Sequence, residues 1–222
     1  MKKLFPIILT LAIIICGCGL KDVVGPISGT SSSDSYQPVS TGSTWTYNNQ
    51  VLGIADYTST IKMTGATTTI NGNKYYAYNM TSAQLGAATG YYAQGGNMYR
   101  SRGTSLQAGV TVDMLYLDNN KAVGTTWTDK INDSGTVNGV PGRFVGKILE
   151  KNISKTIGGH TFNNVIHVTL DLQYDYAQGG GFETVMTYDY YVAKGVGLIE
   201  MDASLLGNVF SRENIVTYDI KY

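Results

Sequence analysis

From Trp45 onward, apolar residues recur along the chain with a period of two. The clearest run covers residues 166–176. There Ile166, Val168, Leu170, Leu172, Tyr174 and Tyr176 alternate with His167, Thr169, Asp171, Gln173 and Asp175. A helix would scatter those six apolar residues around its circumference, whereas a half-buried strand puts them on one face. Ala177-Gln178-Gly179-Gly180-Gly181 then supplies turn residues, and Thr184, Met186, Tyr188, Tyr190 and Val192 carry the face back along a return strand. The pattern predicts a long antiparallel hairpin.

The same alternation marks Val110, Val112, Met114 and Tyr116, and later Val216, Tyr218, Ile220 and Tyr222. Asn71-Gly72-Asn73 between two β-rich runs is a hairpin turn. Lys194-Gly195-Val196-Gly197 joins another pair of strands, with Val196 plugging the end of the sheet. No run of ten or more residues past position 41 has helical periodicity. The expected body, residues 42–222, is therefore one all-β domain of about ten to twelve strands, an antiparallel β-sandwich or a curved, half-open barrel. Three segments recur in the same order. Gly42-Ser43-Thr44-Trp45-Thr46 returns as Gly124-Thr125-Thr126-Trp127-Thr128, and Thr69-Ile70-Asn71-Gly72 as Thr156-Ile157-Gly158-Gly159. Tyr92-Ala93-Gln94-Gly95-Gly96 returns as Tyr176-Ala177-Gln178-Gly179-Gly180. They suggest two duplicated halves of about 84 residues, 42–123 and 124–222, sharing one core.

The first residues break this pattern. Lys2 and Lys3 precede an apolar stretch, residues 4–15, of about a dozen residues, too short to span a bilayer and suited to a secretory leader. Ile15-Cys16-Gly17-Cys18 follows, and it resembles the lipobox of bacterial lipoproteins. That resemblance implies a leader of residues 1–17 removed before Cys18, whose thiol takes a diacylglyceryl thioether and whose new amino terminus takes a further acyl chain such as palmitate. Several chains hold a protein firmly where one does not. Gly19 stands where an aspartate would retain an enteric lipoprotein at the inner membrane, so the resemblance implies the outer membrane. Residues 18–41, rich in Gly, Ser and Thr, read as a flexible tether.

Tyr190-Tyr191-Val192-Ala193-Lys194-Gly195-Val196-Gly197-Leu198-Ile199, downstream of the Gly-x-x-Trp at residues 42–45, is similar to an element that recurs in bacterial envelope lipoproteins. The resemblance implies a β-rich envelope protein and brings no activity with it.

Composition narrows the partners. Sixteen basic residues against 16 acidic ones, at 14% charged, leave no clustered positive surface for nucleic acid. Both cysteines precede the body, so no disulfide framework or thiolate metal site is expected in it. The chain has no Gly-x-Ser-x-Gly, His-Glu-x-x-His or phosphate-binding Gly-x-x-x-x-Gly-Lys motif. Ser59-Thr60-Ile61-Lys62 matches Ser-x-x-Lys by letter, but within a strand pattern rather than at the helix start that chemistry needs. His160 and His167 differ in strand parity and read as separate, solvated side chains.

On the hairpin's polar face lie Asp171, Asp175, Glu183 and Asp189. With Tyr176 opposite Phe182, Asp175 would oppose Glu183, and Asp171 would lie diagonal to Asp189. Opposed like charges destabilise a sheet, and a hard cation such as Ca²⁺ would compensate them. Exposure to water does so without an ion, so no metal or cofactor is assigned. The chain has 17 Tyr. Most fit a core with the hydroxyl reaching a polar partner; Tyr91, Tyr92, Tyr99, Tyr191 and the two Trp could instead line a groove.

Three functional readings follow. The first is a lipid-anchored envelope protein with a non-catalytic binding or structural role, its membrane partner reached through the anchor. The second is a carrier of a lipophilic ligand in the concavity of the sheet, which calls for an apolar pocket of several hundred Å³. The third is a glycan hydrolase, which requires two carboxylates roughly 5 to 9.5 Å apart across a cleft. The pattern specifies neither a ligand, lipid or glycan, nor an oligomeric state.

Overall fold

A computed structural model describes residues 34–104, 109–177 and 179–221. Cys18 and its lipobox lie outside the described residues. Thirteen strands follow in chain order: β1 (Thr44–Val51), β2 (Ile54–Ile70), β3 (Asn73–Ser82), β4 (Gly86–Gly95), β5 (Met98–Thr104), β6 (Thr111–Asp118) and β7 (Thr126–Lys130). The rest are β8 (Thr136–Val137), β9 (Val140–Ile157), β10 (His160–Tyr174), β11 (Glu183–Ala193), β12 (Gly197–Leu205) and β13 (Asn208–Asp219). All pairings are antiparallel and form one sheet, in the order β6-β5-β4-β3-β2-β1-β13-β12-β11-β10-β9-β7, with the short β8 on β9. The sheet curls on itself into a nearly closed barrel. It has one or more strands beyond the expected range because β7 and β8 are too short for their alternation to register.

Cross-strand neighbours explain the curl. Tyr78 faces Gly90, Trp127 faces Gly146 and Tyr174 faces Gly142 across their ladders. Each ring lies flat over its glycine: a Cβ on Gly146 would sit 2.2 Å from the Trp127 indole, and one on Gly90 would sit 2.3 Å from the Tyr78 ring. An aromatic ring laid over a missing side chain lets the sheet bend inward without losing buried area. Leu170, Leu172, Ile148, Phe144 and Ile199 then fill the interior.

The two ends of the sheet meet at β6 and β7, and side chains join them where no ladder runs. Asp113 donates its backbone N–H to the Ile131 carbonyl at 3.0 Å. The Leu115 N–H donates to Asp129 Oδ2 at 3.1 Å, and the Trp127 indole donates to the Leu115 carbonyl at 3.1 Å. Over this seam Arg100 binds Asp113 (2.8 Å) and Asp129 (2.6 Å), while Arg102 binds Asp113 (2.9 Å) and Asp133 (2.8 Å). Tyr75 donates its hydroxyl to Asp113 Oδ2 at 2.6 Å. Asp113 is buried and takes bonds from three side chains, so an edge that would otherwise invite pairing is covered.

Residues 34–41 belong to the folded body, which shortens the expected tether at its C-terminal end. Tyr36 and Gln37 are buried, the Tyr36 ring meets Tyr99 edge-on at 6.1 Å, and the Ser35 carbonyl accepts from the Gly195 N–H at 2.7 Å. Tyr116 donates to Gln37 Oε1 at 2.9 Å. The segment stoppers one end of the barrel beside Val196, itself buried and held by the Trp45 indole on its carbonyl at 2.7 Å.

Two of the three recurring segments occupy matching places. Gly42 donates to Met63 and Met63 donates to Ser43; Gly124 donates to Ile148 and Ile148 donates to Thr125. Both openings thus dock on the neighbouring long strand in the same way. Asn71-Gly72 (φ 50° and 79°) and Gly158-Gly159 (φ 54° and 81°) turn the β2–β3 and β9–β10 hairpins through left-handed pairs, as two-residue connections require. The third match is one strand out of step, at the end of β4 in one case and after β10 in the other.

Removing one partner from a buried ion network strands the others. Asp113→Ala is expected to cost about 3–5 kcal/mol of unfolding free energy, measured by urea denaturation. A loss below about 1 kcal/mol, the range of an exposed ion pair, would contradict closure of the barrel at this seam.

Candidate functional site

Inside the barrel is a cavity of about 100 Å³. Its wall is mainly apolar and aromatic, with Tyr78, Tyr92, Tyr188 and Tyr190 among the rings and Met80, Met114 and Met201 among the softer side chains. Gln37 from the stopper segment reaches its edge. The volume falls short of the several hundred Å³ expected of a carrier pocket. It is of the order of the roughly 150 Å³ in which an engineered apolar cavity admits benzene.

Glu213 is the sole acid among the described residues lining this space. It lies at the middle of β13, is 4% exposed, and makes no hydrogen bond or ion pair with any described residue. Sheet register sets what flanks it: Met201 on β12 to one side, Asn49 on β1 to the other, and Tyr57 on β2 opposite Asn49. Directly opposed residues share a face, so Glu213, Asn49 and Tyr57 form a polar row on the inner wall. Asn49 is fully buried; its Nδ2 donates to the Tyr47 carbonyl (3.3 Å) and to Ser59 Oγ (3.1 Å), leaving Oδ1 without a partner. The Tyr57 hydroxyl is likewise buried and unpaired.

Burial pushes the Glu213 carboxyl up to about 8, because nothing nearby repays the lost hydration of its charged form. The titratable groups that sense it are tyrosines: Tyr47 from β1, Tyr78 from β3, Tyr92 from β4 and Tyr190 from β11. Burial likewise raises the phenols of all four, so at neutral pH they are uncharged and none offers the carboxylate a counter-charge.

The acidic residues of the long hairpin are not brought together. A bulge between Leu172 and Gln173 sets Tyr174, not Asp175, opposite Glu183. Asp171 faces Thr187 and accepts its hydroxyl at 2.7 Å. Asp175 leaves the strand, is buried, and accepts the Gly179 N–H at 2.6 Å. Glu183 is exposed. Asp189 bonds His167 Nε2 at 2.9 Å, while Glu150 approaches the other ring nitrogen at 3.2 Å. That imidazole stacks on Tyr191 at 4.2 Å, and Lys155 caps the same ring at 3.7 Å while pairing with Glu200 at 2.7 Å. The result is an exterior lattice of compensated charges. Among the described residues no three His, Cys, Asp or Glu side chains gather as a metal site.

His160 begins β10, away from His167. Ser59 and Lys62 lie within β2, and Ser59 is engaged by Asn49. Of the expected groove aromatics, Tyr92 lines the cavity, Tyr99 packs against Tyr36, Tyr191 lies on the outer lattice, and both Trp are buried with their N–H groups on backbone carbonyls.

No protein-family model matches the chain, and no curated protein matches it. Among solved structures it is similar to the crystal structure of a "putative lipoprotein" from Parabacteroides distasonis ATCC 8503. The TM-score is 0.51 at 11% identity, over 84% of this chain and 99% of that one. It is also similar to a "putative exported protein with YmcC-like fold" from Bacteroides fragilis NCTC 9343. There the TM-score is 0.50 at 10% identity, over 82% of this chain and 97% of that one. At those identities the likeness is one of fold.

Free in solution an unfolded Glu213 ionises near 4.5, against about 8 in the fold. The folded state therefore binds this proton more tightly. Glu213 is neutral in its effect at low pH and becomes a growing cost as pH rises from about 4.5 to about 8. Glu213→Gln should stabilise the protein by on the order of a few kcal/mol more at pH 8 than at pH 5, read from paired denaturation curves. An equal gain at both pH values would contradict a carboxyl raised by burial.

Proposed function

We propose that the protein is a lipid-anchored component of the bacterial cell envelope whose barrel binds a small apolar molecule without chemically transforming it. The observation that carries the binding half is the internal cavity walled by Tyr78, Tyr92, Tyr190, Met80 and Met201, with a single acid in its wall. Tight packing is the rule in protein interiors, and an apolar void forfeits dispersion contacts unless something fills it. The pair of facing carboxylates that glycoside hydrolysis uses is not among the described residues lining the cavity.

The envelope half rests on the leader and lipobox at Ile15-Cys16-Gly17-Cys18. It is supported by the fold shared with proteins described as a lipoprotein and an exported protein. Cys18 would carry the acyl chains, and with Gly19 following it the outer membrane would be the address. Residues 19–33 would then link the anchor to a body that begins at residue 34.

Two measurements check these halves separately. Cys18→Ser, expressed with its leader in a Gram-negative host, is expected in the soluble fraction; retention with the membranes would contradict the anchor. Native mass spectrometry of the wild-type protein from its own host is expected to show a population carrying the added mass of one small molecule. A uniformly ligand-free mass under conditions that preserve the fold would contradict the binding role.

A further inference from the structure

We propose that two neighbouring hairpin tips, at Leu52 and Leu206, form a lipid-docking surface on which the barrel rests against the bilayer that carries its anchor. This goes beyond the binding role proposed above and takes from that reading only the identity of the bilayer. The tip between β1 and β2 and the tip between β12 and β13 lie side by side, because β1 pairs with β13 and the Leu52 N–H donates to the Phe210 carbonyl at 2.9 Å. Leu52 is 76% exposed and Leu206 86%, and Ile54 and Val209 beside them are exposed as well. A Cβ built on Gly53 or Gly207 would meet nothing within 4 Å, so both turns stand clear of the body. Leu206 is also out of place by conformation. Among the described residues, the non-glycine positions with positive φ are Asn71, Asn97, Asn138, Asn152, Asn164 and Leu206. Asparagine tolerates that left-handed backbone, whereas leucine is strained in it. The β12–β13 turn thus holds an apolar side chain out in water, in a conformation that disfavours it, where the same chain uses asparagine elsewhere. Backbone strain of this kind clusters at functional positions.

The chemistry of the tips suits lipid better than a protein partner. Neither carries a charge: residues 50–55 and 203–211 contain no Asp, Glu, Lys or Arg. Their exposed side chains are aliphatic, whereas protein interfaces are anchored chiefly by Tyr, Trp and Arg seated in pockets. Aliphatic side chains on projecting turns can enter the boundary between headgroups and acyl chains while the turn backbone stays hydrated. Reach agrees with this occupant. The chain enters the body at Ser35, whose carbonyl accepts from Gly195, at the opposite end of β12 from Leu206. β12 has 9 residues and is about 30 Å long, while residues 19–33 can span up to about 50 Å. Cys18 and the tips can therefore engage one bilayer, and the end of the barrel away from the stopper then faces the lipid.

The test uses the leaderless Cys18→Ser protein, so that any lipid contact comes from the body. The ¹⁵N-labelled protein is mixed with phosphatidylcholine vesicles that contain a doxyl-labelled lipid. Amide signals of Leu52, Gly53, Leu206 and Gly207 are expected to lose about twofold more intensity than those of Gly95 and Gly195. The loss should be the same at low and high salt, because no charge takes part. In the double variant Leu52→Gln, Leu206→Asn the selective loss is expected to vanish while the urea midpoint holds or rises, since asparagine suits the left-handed turn. No loss at the tips, loss greatest at Gly195, or loss that salt abolishes would overturn the lipid-docking assignment. A selective loss that survives the double variant would overturn the part given to these leucines. A clear fall in the urea midpoint would mean that Leu206 serves the fold, and would overturn the reading of its strain. The readout needs no acyl chain. A failed anchor, which fractionation of Cys18→Ser detects by itself, is therefore distinguishable from failed docking.

Discussion

A curled antiparallel sheet has two edges, and here they are brought together by side chains in place of a ladder. Asp113 sits at the centre of that closure: its carboxylate takes Arg100, Arg102 and the Tyr75 hydroxyl, and its backbone N–H reaches across to Ile131. Asp129 and Trp127 serve the adjacent Leu115 in the same way, one accepting from its N–H and the other donating to its carbonyl. Three side chains and one main-chain bond thus do for β6 and β7 what a continuous ladder does between the other strands. The arrangement decides whether the interior is dry or wet, and the other features depend on that.

A dry interior gives meaning to the inner polar row. In a hydrated groove, Glu213, Asn49 and Tyr57 would simply bind water, and the Glu213 carboxyl would ionise in its ordinary range. Behind a closed seam, with residues 34–41 stoppering one end, each unpaired atom is a standing cost. The exterior shows the contrast. Asp171, Asp189, His167, Lys155 and Glu200 are all matched to one another or to hydroxyls, as expected of a surface whose work is solubility and sheet stability.

The alternation of period two was enough to read the all-β class, the hairpin of β10 and β11, the turn at Asn71-Gly72 and the plug at Val196. It failed at bulges, which change parity by one residue and leave no mark in a hydropathy pattern. The bulge after Leu172 moved Asp175 off Glu183 and dissolved the acidic cluster. A second bulge, between the pairs Thr46–Thr217 and Tyr47–Ile215, leaves Val216 unpaired. The alternation of Val216, Tyr218 and Ile220 therefore gives no sign that, before the bulge, the inward positions are Ser211, Glu213 and Ile215. The one hint available was Glu213 itself, which alternates with Val209, Ser211 and Ile215 along β13. The seam was also illegible locally, because Arg100, Asp113 and Asp129 come from three strands and look like ordinary surface charges. Tyr36 and Gln37 were hidden for a simpler reason: two residues in a polar run show no period at all.

The state of the interior depends on whether closure of the sheet excludes water from the inner wall. The most direct test is a ¹³C-detected NMR titration of the Glu213 carboxyl in the intact, ligand-free barrel. A water-excluded interior predicts a midpoint near 8. A midpoint in the ordinary glutamate range, at or below about 5, would mean that the interior is wet and the seam open, and would contradict the account.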